Sequence, residues 1–278
     1  MALAIATNNA ALNSAASASS VNRDMETSMA RLSSGKRINS ASDDAAGVAI
    51  SSRLSAEIRG TDQAIRNSLD GQALIDTAEG AHKEIENILQ RMREVAVQSA
   101  NDTNNAQDRT NLQAEMNAMS TEIDRIAGTT TWAGTNLMEA ATSSFSFQVG
   151  AATGAKNQID VDIVTMNATG LTVTTSDVDL TTDSASRLTA IDNVDAAIKS
   201  VNDQRSSLGA VSNRLNHTVN NLTNISSNLS AAKGGIEDAD FALETTNLAK
   251  NQILQQASTA MLAQANASKQ NVLSLLQG

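Results

Sequence analysis

Apolar positions along this chain keep to two periods. In the C-terminal half Val194, Val201, Leu208, Leu215, Leu222, Leu229 and Ile236 stand seven apart without a break. Companion positions Val211, Thr218, Ile225 and Ala232 follow four of them by three. That spacing is the a/d seam of packed helices. The N-terminal half answers it. Leu74, Ala78, Ala81, Ile85, Ile88, Met92 and Val95 alternate steps of four and three, and Leu112, Met116, Met119, Ile123 and Ile126 do the same. Three seams separated by turns predict a mainly α fold, an elongated antiparallel helical bundle of coiled-coil type. Asn101-Asp102-Thr103-Asn104-Asn105 is the turn between the first two. A helix from about Asp44 to Ala100 would be roughly 85 Å long at 1.5 Å per residue, so a rod is expected.

Between about 129 and 186 the period falls to two and Gly and Thr rise. Phe145, Phe147 and Val149 alternate, as do Ile159, Val161 and Ile163, then Leu171 and Val173. Gly150–Gly154 and Asn167–Gly170 are turn segments. This predicts a small β-hairpin region of two or three strands at the tip, with the Ser/Thr-rich stretch 172–186 as an exposed loop.

The two ends carry the helical period with almost no charge. Residues 1–22 contain no Asp, Glu, Lys or Arg, and residues 251–278 contain only Lys269. Leu3, Ile5 and Leu12 begin the N-terminal arm. Val21, Met25, Met29 and Leu32 then recur at helical steps. Leu254, Ala257, Met261, Ala265, Ser268, Val272 and Leu275, with Leu276 beside them, form the matching C-terminal stripe. A stripe this narrow needs a partner surface, so each arm should fold only against another helix. A hinge separates each arm from the rod. Ser33-Ser34-Gly35 ends the first arm, Gly35 fitting a helix C-cap, and Ser42-Asp43-Asp44 suits the next helix start. Gly234-Gly235 and the acidic run after it interrupt the C-terminal seam. The expected order is an arm over 1–32, a hinge over 33–44, rod helices over 45–128 and a β-rich tip over 129–186. A rod helix over 187–233, a hinge over 234–241 and an arm over 242–278 complete it. An antiparallel rod brings both arms to one end, where they pair in a second, assembly-dependent coiled coil.

Composition narrows the function. Aromatics are 1% of residues, Trp132 being the sole Trp, and Ala supplies much of the apolar fraction, which suits thin helix contacts. There is no Pro to interrupt long helices. The net charge of −10 without a basic stripe argues against nucleic acid and anionic membranes as partners. The absence of Cys excludes disulfides, thiolate metal sites and a thiol nucleophile. The N-terminal stretch lacks the basic and apolar parts of a secretory signal, and no apolar run approaches a membrane span. The expectation is a cytoplasmic protein or one exported without a cleaved signal.

No catalytic, cofactor or metal constellation emerges. His82 and His217 are placed on exposed helix faces, where an ordinary surface histidine is the simplest reading. Asp43-Asp44 and Glu237-Asp238 with Asp240 lack the spacing of a calcium loop and suit caps and hinges. Trp132 reads as a packing plug. Gln90, Arg91, Arg93 and Glu94, with Glu115 on the neighbouring helix, form a polar face. It suits a solvated, salt-bridged surface or, on a rod that polymerises, a lateral contact.

At the hinges and arms the chain becomes recognisable. RLSSGKRINSASDDAAG (31–47), ILQRMREVAVQSAN (88–101), SSLGAVSNRL (206–215) and the whole run 236–277 closely resemble bacterial flagellin, in a short form without the variable outer domains. The resemblance covers about 1–140 and 187–278. It implies a structural subunit, not an enzyme, that polymerises with its own copies into the extracellular flagellar filament that drives motility. It implies type III export of the unfolded chain and terminal arms that fold on assembly. The implied partners are an export chaperone on the C-terminal arm, a filament cap and hook–filament junction proteins. The vertebrate innate flagellin receptor reads the face matching Gln90, Arg91, Glu94 and Glu115, with Val95 where many recognised members have Leu. Lys233-Gly234-Gly235 departs from the family's Ser-containing basic stretch and should loosen the hinge. Short flagellins often carry O-linked sugars near the tip, which makes Ser143, Ser144, Thr172, Thr174, Thr175 and Ser176 candidates. Two other readings fit part of the pattern: a hook–filament junction protein sharing such ends, and a chemoreceptor-like helical hairpin. The match at both ends and the small middle favour flagellin.

Overall fold

The computed structural model describes residues 7–139 and 142–277, with side chains at all of these except 142 and 272–277. Five α-helices dominate: α1 (Asn9–Ser34), α2 (Ala45–Ser99), α3 (Ala106–Thr129), α4 (Ser184–Glu237) and α5 (Phe241–Gln277). Four strands lie between α3 and α4: β1 (Thr131–Trp132), β2 (Thr135–Asn136), β3 (Thr142–Gln148) and β4 (Gln158–Val164). β1 pairs with β2 and β3 with β4, both antiparallel. The chain divides into two compact units, one of residues 1–57 and 228–278, the other of 58–227.

The unit of residues 58–227 holds the main core. Leu74, Ala78, Ile85, Met92 and Val95 from α2, Met116 and Ile123 from α3, and Val194, Val201, Leu208 and Leu215 from α4 are all buried. The heptad seams of the sequence are therefore the packing seams. Asp62 accepts from Ser226, Arg205 bridges Glu79 and Glu86, and Arg93 meets Asp195 at 2.5 Å. Partner numbers fall along α4 as they rise along α2, so the two helices run antiparallel. The α2–α3 turn carries a full capping box, the Asn105 side chain accepting from the Asp108 N–H and Asp108 answering on the Asn105 N–H.

The strand pair β3–β4 follows the period of two. Along β4 Ile159, Val161 and Ile163 are buried and the residues between them exposed. Phe145 and Phe147 face them from β3 in register with Val161 and Ile159. Gly71, in the middle of α2, lets this packing come close. A Cβ there would sit 3.3 Å from both the Phe147 ring and Leu215. Asn67 of α2 donates to the Gln148 carbonyl and Gln204 of α4 to the Asp162 carbonyl, which fixes the hairpin's register on the helices.

Three expectations need correction in this unit. Leu171 and Val173 are buried but lie in turns, not a strand. The stretch after them is no free loop, because Val173, Val178 and Leu180 are fully buried. Polar side chains of α3 hold it down: Ser120 donates to the Val173 carbonyl, Asp124 accepts from the Ala168 N–H and Gln113 from the Leu180 N–H. Its backbone is satisfied by helix side chains, so Ser/Thr richness misread a buried segment as exposed. His82 also differs. It is fully buried on α2, whereas His217 is exposed as expected. Trp132 is half-buried against the core, as a plug would be.

In the other unit α1 ends at Gly35, whose φ of 70° is the left-handed cap conformation that glycine adopts without strain. Asp44 caps α2 by accepting from the Gly47 N–H. Asp43 accepts from the N–H groups of Asn39 and Ser40, which hold its carboxyl below the usual range. The expected break at Gly234-Gly235 is absent: α4 runs through both glycines to Glu237. An isolated glycine pair costs only about 2 kcal/mol of helix propensity, which neighbouring turns absorb. The interruption comes at Asp238–Asp240, where Asp240 accepts from the Ala242 and Leu243 N–H groups and starts α5.

Candidate assembly site

The two arms pair with each other. Along α1 Ala11, Ser14, Ala18, Val21, Met25, Ser28 and Leu32 are half-buried or buried at steps of three and four, with Arg31 half-buried beside them. Along α5 Glu244, Leu248, Asn251, Gln255, Ser258, Leu262, Ala265 and Lys269 keep the same alternation, with Asn247 half-buried beside them. Asn8 donates to the Ala265 carbonyl, Gln255 to Asn22, and Arg31 to Glu244. The helices are thus antiparallel, and their seam is a coiled-coil seam built largely of small and polar residues.

This seam is not the stripe the apolar period picks out on α5. Leu254 is 39% exposed and Met261 62%, and Ala257 and Ser268 are exposed beside them. On α1 Val21, Met25 and Leu32 do enter the seam, but Met29 and Leu12 do not, at 54% and 60% exposure. Phe241, Leu243 and Ile253 are exposed as well. The arm pair therefore has two faces, an inner one that joins α1 to α5 and an outer apolar one. On α5 the period of the sequence registered residues outside the seam, whereas on α1 three of its four positions, Val21, Met25 and Leu32, lie within the seam. A groove of about 260 Å³ lined by Asn13, Ser14, Ser17, Leu254, Ala257, Ser258 and Met261 lies open along it. Leu3 and Ile5 lie outside the described residues, as do the side chains of Val272, Leu275 and Leu276.

The segments joining these helices are laced together. Lys36 and Asp238 form an isolated antiparallel bridge. Glu237 takes the Ser51 hydroxyl and the Lys36 ammonium, and these partners hold its carboxyl below the usual range. Gly35, Asp43 and Asp44 lie in the α1–α2 connection, between the end of α1 at Ser34 and the start of α2 at Ala45. Gly234 and Gly235 lie one turn inside α4.

In the second unit Arg91 meets Glu115 at 2.8 Å and Glu94 at 2.9 Å, and the two carboxylates hold the guanidinium charged. Gln90 and Glu94 are exposed beside it. Val95 does not belong to this face. It points inward and is fully buried in the core, because it occupies a seam position of α2. Of the hydroxyl candidates, Ser144, Thr172, Thr175 and Ser176 are exposed. Ser143 is half-buried on the inward side of β3, and Thr174 is half-buried with its hydroxyl on Asp177.

Among the described residues no three His, Asp or Glu side chains are grouped to hold a metal ion, and no helix is long and apolar enough to cross a membrane. His82 is fully buried with Glu79 and Arg205 nearby, and neither ring nitrogen has a partner. Burial pushes its pKa down to about 4. It presents no acid–base group to solvent.

Comparison with known proteins agrees with the two helical ends. Residues 5–143 match the bacterial flagellin N-terminal helical region, and residues 191–276 match the bacterial flagellin C-terminal helical region. A flagellin of Halalkalibacterium halodurans is 48% identical over 249 residues, covering 90% of each chain. The flagellin of Bacillus subtilis strain 168 is 43% identical over 301 residues, covering 97% of this chain and 98% of its own. Among solved structures, a provisionally assigned flagellar hook-associated protein of Vibrio parahaemolyticus superposes with a TM-score of 0.59. It covers 70% of this chain and 100% of its own at 14% identity, a likeness of fold alone. Paired terminal helices, a helical core and these matches over both ends lead to one conclusion: the chain belongs to the bacterial flagellin family, structural proteins that polymerise with themselves into the extracellular filament of the flagellum.

Proposed function

We propose that α1 and α5 are the polymerisation element of this flagellin, and that their outer apolar face is buried against the arm pairs of neighbouring copies. One observation carries the reading. Leu12, Met29, Leu243, Ile253 and Met261 are each more than half exposed on a helix pair whose own seam is mostly small and polar. Leu243, Leu254 and Met261 are eleven and seven apart, which puts them on one side of α5, and such a stripe of exposed apolar side chains marks an interaction site. Burying each is worth roughly 1.5–3 kcal/mol. The near absence of charge on the arms supports the same reading, since a charge buried in the wall of a polymer would need a partner.

Finer roles rest on the family resemblance. The chain is exported unfolded, an export chaperone covers the C-terminal arm, and cap and hook–filament junction proteins guide assembly. The face of Gln90, Arg91, Glu94 and Glu115 is a lateral contact in the filament and the surface an innate flagellin receptor reads. Two Arg91 N–H groups converge on one Glu115 carboxylate oxygen while a third reaches Glu94, which favours a preformed recognition surface. Ser144, Thr172, Thr175 and Ser176 are the exposed candidates for O-linked sugar.

Deleting residues 1–32 or 245–278 tests the polymerisation element. The truncated chains should keep the folded unit of residues 58–227 and form no filaments under precipitant. Normal filaments from either truncated chain, seen by negative-stain microscopy, would overturn the reading.

A further inference from the structure

We propose that the ion pair between Arg31 and Glu244 sets the register in which α1 and α5 pair. The inference rests on the arms being the polymerisation element. The Arg31 guanidinium donates to Glu244 at 2.9 Å, and Glu244, in the first turn of α5 where the seam begins, is 5% exposed. The second carboxylate oxygen of Glu244 and the Nε of Arg31 are also shielded from solvent. A charge this buried tolerates only one neighbour.

The rest of the seam cannot choose the register as sharply. Val21, Met25, Leu32, Leu248 and Leu262 are apolar and non-directional. Ala11, Ser14, Ala18 and Ser28 on α1 with Asn251, Gln255, Ser258 and Ala265 on α5 are small or neutral polar residues, so at these positions a slip of seven buries no unpaired charge. Antiparallel pairing in which Arg31 is level with Glu244 also brings Asn22 to Gln255 and Asn8 to Ala265. Sliding α5 by one heptad moves Glu244 level with Asp24, carboxylate against carboxylate. Sliding it the other way moves Glu244 level with Ile38, beyond the end of α1 at Ser34. Both slips strand a buried carboxylate, which is the way a single polar seam position specifies register in coiled coils.

The absence of native cysteine makes the register directly readable. Chains carrying Asn22→Cys with Gln255→Cys report the observed register through a short bis-thiol-reactive linker. Chains carrying Asn22→Cys with Leu248→Cys or Leu262→Cys report slips of one heptad, roughly 10 Å away. Each pair is placed in the parent, Arg31→Glu, Glu244→Arg and doubly reversed backgrounds. Cross-linking and the critical concentration for seeded filament growth are then measured. The single reversals should lose most of the matched cross-link and raise the critical concentration about tenfold. The double reversal should recover both to within about threefold. Single reversals with an unchanged matched cross-link, or a double reversal as impaired as either single one, would overturn the register role. Lost cross-linking with unimpaired filament growth would uphold the register role and instead overturn arm-driven polymerisation.

Discussion

Lys36 and Asp238 face each other in an isolated antiparallel bridge that ties the α1–α2 connection to the α4–α5 connection. The Arg37 N–H donates to the Glu237 carbonyl at 2.6 Å, and the Ala239 N–H to the Gly35 carbonyl at 3.0 Å. Two connections that the sequence marks as hinges are thus a short two-stranded clasp, anchored at one end by the left-handed turn of Gly35.

That turn yields the first prediction. Gly35→Ala meets no neighbour within 4 Å, so its cost is backbone strain alone, about 1–2 kcal/mol. The melting of assembled filaments, followed by circular dichroism, should shift to lower temperature. Gly35→Asn, which tolerates the left-handed region, should recover much of the loss.

His82 makes stability pH-dependent. Its folded pKa of about 4 lies below the ordinary value of 6.5. Between those values the unfolded chain binds a proton that the folded chain refuses. Stability from this group is fully present above pH 6.5, falls as pH drops toward 4 and changes no further below it. The loss is on the order of 3 kcal/mol. Glu79 and Arg205 oppose each other in this balance, Glu79 favouring the charged ring and Arg205 disfavouring it. Urea unfolding at pH 7.5 and 4.5 should show a clear drop for the parent and a smaller one for His82→Leu.

Arg91 and Val95 should separate by readout. Arg91 pairs at the surface, where ion pairs contribute little to folding. Arg91→Ala should leave the urea midpoint unchanged and reduce filament growth and swimming. Val95→Ala removes buried methyl groups and should cost about 2 kcal/mol of folding stability without altering the exposed face. Parallel unfolding and sedimentation of the two variants checks both.

The bundle was legible because burial and period coincide there. Val194, Val201, Leu208 and Leu215 are seven apart and all buried. The β4 alternation was legible for the same reason at a period of two. On α1 Val21, Met25 and Leu32 serve both the apolar period and the intrachain seam, whereas on α5 the two lie on different faces. Met261 belongs to the first, Ser258 and Leu262 to the second. Val95 shows the converse: one helix turn carries the exposed face of Arg91 and Glu94 and also the core. His82 and the segment 173–180 were read from composition as exposed. Their burial depends on long-range contacts, such as Ser120 to Val173, that leave no local signature. The Gly234-Gly235 pair misled because propensity is a weak prior against a helix held by its neighbours.

The central claim is that the outer apolar face of the arm pair drives polymerisation. Ile253 and Met261 are 66% and 62% exposed, so Ile253→Ser with Met261→Ser leaves the α1–α5 seam in place. The decisive measurement is the critical concentration for seeded filament growth of this double variant, by sedimentation. A rise of at least tenfold with the folded unit of residues 58–227 intact is the predicted result. Growth at the parent's critical concentration would contradict the account.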